Sequence, residues 1–235
     1  MLPSLSSPTT CRAVAVWLKI SLITALLPCS GIAFAEVDRI DVGNFSEGQL
    51  DQWNTKVFAG KTDYALVTDD GRQVLRADSR ASASGLYREI AIDLKQTPLL
   101  NWSWKVNDLL TGNNERHKAG DDYQARLYVV FSGGLRFWRT RAINYVWSSN
   151  QPAGSEWSNA FTSNARMIAV RGSGGLQDQW VQEQRDVLAD YRRLFGEEPG
   201  EIAAVALMTD TDNTGLSARA WYGDIWFSAA SEAGD

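Results

Sequence analysis

The chain has 235 residues, with 23 Lys and Arg, 28 Asp and Glu and a single His, for a formal net charge of −5 at pH 7. All 28 acids lie after residue 35, where the basic residues fall from 23 to 21, so that this longer part carries 21 − 28 = −7. An acidic chain without a basic run is a poor partner for nucleic acid, and one His with no Cys after residue 35 excludes a zinc site of the usual His/Cys kind.

The N-terminal segment reads as an export signal. Its charged groups are Arg12 and Lys19; Ile20 to Leu27 form a short apolar run, Pro28 breaks it, and Ala33-Phe34-Ala35 supplies small residues. A basic region, an apolar region and an A-x-A site are the three parts of a secretory signal. An eight-residue run at about 1.5 Å per residue covers about 12 Å of a roughly 30 Å membrane core, too little to span it. The expectation is cleavage after Ala35, a periplasmic or secreted location, and a mature chain, 36–235, that forms one domain with no membrane span. Both cysteines, Cys11 and Cys29, fall inside the signal, so no disulfide supports the mature chain.

From Val37 onward the pattern is period-two alternation broken by turn residues. Strands are expected near 37–42, 64–69, 73–79, 85–93, 98–107, 123–131, 139–147, 165–171, 180–187, 202–209 and 219–228. Between them sit turns such as Asp69-Asp70-Gly71, Gly112-Asn113-Asn114, Gly172-Ser173-Gly174-Gly175 and Asn213-Thr214-Gly215. Many short strands with Gly- and Asn-rich turns argue an all-β, antiparallel sandwich. Trp180 to Phe195 is ambiguous between strand and helix; a strand to about Val187 and a short helix over 188–195, ended by Gly196, fits it best.

Alternation also assigns faces. In Ala125 to Phe131, the set Leu127, Val129 and Phe131 reads as core, leaving Arg126, Tyr128 and Val130 on the other side. In Arg141 to Trp147, one set is Ala142, Asn144 and Val146, and the other is Arg141, Ile143, Tyr145 and Trp147. Trp102 and Trp104, two apart beside Leu99 and Leu100, read as a core pair, whereas Trp138, Trp147 and Trp157 sit near strand ends or in polar stretches.

Four motifs are long enough to compare with known families: Lys118-Ala119-Gly120-Asp121-Asp122-Tyr123-Gln124-Ala125-Arg126, Arg141-Ala142-Ile143-Asn144-Tyr145-Val146-Trp147, Met208-Thr209-Asp210-Thr211-Asp212-Asn213-Thr214-Gly215, and Tyr222-Gly223-Asp224-Ile225. Together they resemble the bacterial family called domain of unknown function 3047 over nearly all of the mature chain. The resemblance implies an exported bacterial protein of one domain and brings no activity with it. Separately, Trp221-Tyr222-Gly223-Asp224-Ile225-Trp226-Phe227 resembles the closing strand of jelly-roll carbohydrate-binding modules, which often carry a concave aromatic face and a structural calcium. That similarity implies a sandwich of jelly-roll type.

Sugar rings stack their C–H faces on flat aromatics and offer hydroxyls to planar donors and acceptors. Arg126, Tyr128, Arg141, Tyr145 and Trp147 supply both kinds of group, and a glycan or other polyhydroxylated ligand is the expected partner if the strands carrying them are neighbours. The alternative for the arginines is a structural network with acids such as Asp122 and Glu183. Asp210, Asp212 and Asn213, ahead of the Gly215 turn, fit the oxygen-rich loops that hold calcium, with Asp224 as a further candidate ligand; the same residues also suit an Asx-rich turn.

Catalysis is weakly signalled. His117, the single histidine, lies in a polar turn with no nucleophile-elbow sequence in the chain, and no phosphate-cradling glycine motif precedes a helix. The catalytic alternatives are a polysaccharide lyase using Tyr145 as base and Arg141 against a uronate, or a hydrolase pairing Glu183 with Asp122. A structural or partner-binding envelope protein is the third reading.

Overall fold

Short amphipathic strands cannot bury their apolar sides alone, so they assemble into sheets that cover one another. The structure is a computed structural model and describes residues 39–134, 140–174 and 176–230. The expected signal with its cleavage point after Ala35, and Trp138, lie outside the described residues. In chain order the strands are β1 (Arg39–Gly43), β2 (Asn54–Ala59), β3 (Asp63–Asp69), β4 (Arg72–Arg80), β5 (Ala83–Ile92), β6 (Leu99–Val106) and β7 (Tyr123–Phe131). There follow β8 (Arg141–Trp147), β9 (Glu156–Ser158), β10 (Ala165–Arg171), β11 (Val181–Asp186), helix α1 (Val187–Phe195), β12 (Ile202–Asp210) and β13 (Ser217–Ser228).

They form a β-sandwich of jelly-roll type. One sheet runs β11-β6-β13-β4-β3, with β1 also paired to β13; the other runs β2-β5-β12-β7-β8-β10-β9. The long β13 takes β4 against Ser217–Tyr222 and β1 against its last residues, Ile225–Ser228. The pairing departs from the wholly antiparallel expectation in one place, where β8 and β10 run parallel. Residues 148–164 between them are long enough for the crossover that a parallel pair needs, and they place β9 on the far side of β10.

The core lies between the sheets. Leu100, Trp102, Trp104, Tyr222 and Phe227 of the first sheet meet Leu127, Val129, Ile143, Tyr145, Trp147 and Leu207 of the second, all buried. Its centre is aromatic: Trp102 packs edge-on to Trp104 at 5.3 Å between centroids, Tyr145 lies 5.6 Å from Trp102, and Trp147 lies 5.7 Å from Trp104.

β2 and β9 escaped the sequence reading. β2 is exposed along nearly its whole length, so burial imposes no alternation on it, and β9 has three residues. The helix stands where it was expected, one residue longer at its start. Asp186 caps it by accepting from the Ala189 N–H at 2.8 Å, and Gly196, at φ 69°, closes its end. Among the described residues no helix is long and apolar enough to cross a membrane.

Candidate functional site

The outer face of the seven-stranded sheet is built by the residues that alternation turns away from the core. On β7 these are Arg126, Tyr128 and Val130, and on β12 they are Ala204, Ala206 and Met208. Register lays them in rows: Tyr87, Ala206, Tyr128 and Asn144 lie across β5, β12, β7 and β8, and Gly85, Met208, Arg126 and Val146 form the next row. Gly85 on β5 and Ala204 and Ala206 on β12 thus leave a trough between Tyr87 and the larger side chains of β7.

At one end of the trough the ladder is irregular. Met208 pairs with Arg126 and Asp210 with Tyr123, so β7 carries one extra residue there. The bulge brings the Tyr123 ring to the outer side, and the Arg126 guanidinium sits between Tyr123 at 5.0 Å and Tyr128 at 5.3 Å. Arg126 donates to the Asp210 carboxylate and lies 3.8 Å from that of Asp121. Asp121 in turn accepts from Tyr123 Oη and from Asn159 Nδ2.

A cleft of about 440 Å³ opens here, lined among others by Phe58, Arg126, Tyr128, Asn144, Phe161, Asp210 and Asp212. An apolar trough of about 410 Å³ continues it past Tyr87, Ala204 and Ala206, sharing Phe58, Tyr128 and Met208. Phe58 and Phe161 are 67% and 56% exposed, with the Lys118 ammonium 5.3 Å from the Phe161 ring. Deeper in the cleft, Asn144 is 1% exposed, yet neither its Nδ2 nor its Oδ1 has a hydrogen-bond partner among the described residues. The same holds for Asp210 Oδ1 and Arg126 Nε. Buried polar atoms are nearly always satisfied, so these four leave unusual hydrogen-bonding capacity on residues that line the cleft.

Electrostatics set the corner apart. Burial pushes the Asp210 carboxyl well above the usual range against the pull of Arg126, and Asp122, Asp121 and Asp212 push the same way as burial. Burial and Asp122 also raise Asp212, more modestly.

The structure separates the side chains expected to converge on one patch. Arg126 and Tyr128 do face this cleft. Tyr145 and Trp147 do not: β7 and β8 register Leu127 with Tyr145 and Tyr128 with Asn144, so Tyr145 follows Leu127 into the core and Trp147 goes with it. Alternation defines two sets on β8, but which set looks inward is decided by the opposing sheet, whose Trp102 and Trp104 claim the aromatics. Tyr145 Oη donates to Asp190 at 2.9 Å, and burial with the Asp190 charge holds its pKa well above the ordinary value, so the phenol expected as a lyase base sits in the core and not in this cleft. Arg141 stacks 4.6 Å over Phe195 and pairs with Glu197 at 2.7 Å, beside α1.

The remaining candidates are placed as follows. Glu183 is held by Trp104 Nε1 and Arg171, and Asp122 by Asn213 and Thr214, so each carboxylate of the expected hydrolase pair is engaged by different groups. Asp210, Asp212 and Asn213 all line the cleft. Asp224 accepts from the backbone and hydroxyl of Ser46 at 2.8 and 2.5 Å and belongs to another cleft, of about 450 Å³, on the six-stranded sheet. There the polar groups largely satisfy one another, as in Gln184 to Asn101 at 2.7 Å and Asn101 to Ser228 at 3.0 Å. Sequence reasoning missed Asp121, Asn144, Phe58 and Phe161 as site residues. Asn144 carried a readable signal, as the lone amide in the set Ala142, Asn144, Val146; Phe58 lay in a strand that showed none.

A model of the family described as Protein of unknown function (DUF3047) matches residues 51–226. No curated protein matches. Among solved structures, the family 11 carbohydrate-binding module of the cellulosomal cellulase Lic26A-Cel5E of Clostridium thermocellum is similar at 9% identity and TM-score 0.45, covering 81% of this chain and 95% of its own. The xyloglucanase domain of NopAA, a type three effector from Sinorhizobium fredii, is similar at 10% identity and TM-score 0.45, with 76% and 93% covered. The CBM22-1 xylan-binding domain of Paenibacillus barcinonensis Xyn10C is similar at 14% identity and TM-score 0.35, with 80% and 93% covered.

Proposed function

The chain belongs to the family described as Protein of unknown function (DUF3047), and we propose that it is an exported, non-catalytic domain that binds a glycan or similar polyhydroxylated ligand in the outer-face cleft of its seven-stranded sheet. The observation that carries this reading is the pairing of exposed flat rings, Phe58 and Phe161, with buried polar atoms that lack partners, on Asn144, Asp210 and Arg126. A sugar offers C–H faces to the first and hydroxyls, each both donor and acceptor, to the second. Three of the four motifs that carry the family resemblance meet there, through Asp121 and Arg126, Asn144, and Asp210 with Asp212.

The test is a glycan array followed by affinity electrophoresis on the hits. Phe161→Ala and Phe58→Ala lose retention while melting within a few degrees of wild type, since both rings are more than half exposed. Retention unchanged in both variants refutes the site. Accumulation of reducing ends or unsaturated products from a retained polysaccharide refutes the non-catalytic part.

A further inference from the structure

We infer that the acidic corner of this cleft, formed by Asp122, Asp210 and Asp212, binds a hard divalent cation of the calcium kind. One oxygen from each carboxylate lies within 4.8 Å of the others. Oxygens around a calcium ion stand about 2.3–2.6 Å from it, so any two ligands are separated by at most about 5 Å. The three carboxylates therefore already have the spacing of ligands around one ion.

The corner is also incompletely satisfied. One oxygen of Asp210 is taken by Arg126, while the other is buried without a partner. Asn144, lining the same cleft at 1% exposure, has both amide atoms unpartnered. An unbonded buried carboxylate oxygen beside two further carboxylates is a place for a cation. Asp121 adds a fourth acid close by, and Arg126 is the cation the structure pairs with the group.

The loop that carries Asp212 is fastened in place. Asp122 accepts from the backbone and side-chain nitrogens of Asn213 at 3.2 and 3.1 Å and from the Thr214 N–H at 2.7 Å. This ties residues 212–214 to the start of β7 and keeps three carboxyl groups together, an arrangement that costs free energy when all three are ionised unless positive charge beyond that of Arg126 offsets it. The ligand set differs from the one expected from sequence. Asp122 replaces Asp224, which is bonded to Ser46, and Asn213 serves as a strut, its amide nitrogen also reaching Asp212 at 3.2 Å. The inference does not depend on the glycan reading.

The experiment uses chelator-stripped protein at neutral pH, titrated with calcium, magnesium and manganese chlorides by calorimetry and by thermal melting. At about a hundredfold excess over its Kd, a cation bound only by the folded state raises the melting temperature of a chain this size by about 5–10 °C. Wild type is expected to show that rise and a calorimetric binding isotherm. Asp212→Asn, a partly exposed and isosteric change, loses both, and Asp224→Asn keeps both. A flat isotherm with no melting shift at millimolar concentrations of all three cations overturns the inference, as does a response retained in Asp212→Asn and lost in Asp224→Asn.

Discussion

Replacing Trp147 with alanine probes the placement of the β8 aromatics between the sheets. The side chain is fully buried, with the Trp104 ring 5.7 Å away. Burying an aromatic of this kind removes about 200 Å² from water, worth about 5 kcal/mol at about 25 cal/mol per Å², and that figure is an upper bound because the unfolded chain is itself partly collapsed. Measured truncations of buried Phe and Trp cost about 3–5 kcal/mol, and for a chain of this size each kcal/mol lowers the melting temperature by about 2–4 °C. The expected fall is therefore about 6–20 °C in a calorimetric or circular-dichroism melt. Trp147→Phe is milder, because the Nε1 it removes is buried without a hydrogen-bond partner and its loss offsets part of the lost volume. A Trp147→Ala variant that melts within a few degrees of wild type and yet loses glycan retention would refute the reasoning and put the ring in an open site.

Other outcomes follow from single positions. Gly120→Ala should destabilise strongly, since a Cβ there falls under 3.0 Å from three backbone atoms of Asn114, whereas Gly174→Ala meets nothing within 4 Å and should leave the denaturation midpoint unchanged. Burial raises the Asp69 carboxyl, but Lys105 and Trp180 outweigh it and hold the pKa below the ordinary 3.8, so its contribution is present above 3.8 and lost as pH falls through the lowered value. Lys105→Met should accordingly show a stability deficit at neutral pH that narrows in urea titrations as pH drops below 3.8; a deficit independent of pH would assign it to lost contacts with Trp221 and Trp180. The mass of the exported protein is expected to begin at Glu36, and a product starting at a lipidated Cys29 would overturn the signal assignment.

Much of this fold is local chemistry written along the chain. Alternation in Leu99 to Val106, Tyr123 to Phe131 and Ile202 to Asp210 marks strands because each has one side in the core, and Asp186 and Gly196 bracket α1 because a helix end needs a capping acceptor and a left-handed residue. β2 left no such trace, since an exposed edge strand is held by backbone pairing to β5 and places no demand on its side chains. The same alternation separated Arg126 and Tyr128 from Leu127, and grouped Asn144 apart from Tyr145. Which group on β8 faced inward was beyond it, because period two names the sets without orienting them, and a face bearing Arg, Tyr and Trp suits a cleft as well as an aromatic core. Packing of the opposing, six-stranded sheet decided the matter, with Trp102 and Trp104 drawing Tyr145 and Trp147 inside and leaving Asn144 outside. Assembly of the acidic corner was likewise tertiary: Asp122 and Asp212 lie ninety residues apart, and the pairing of β7 with β12 brings them together.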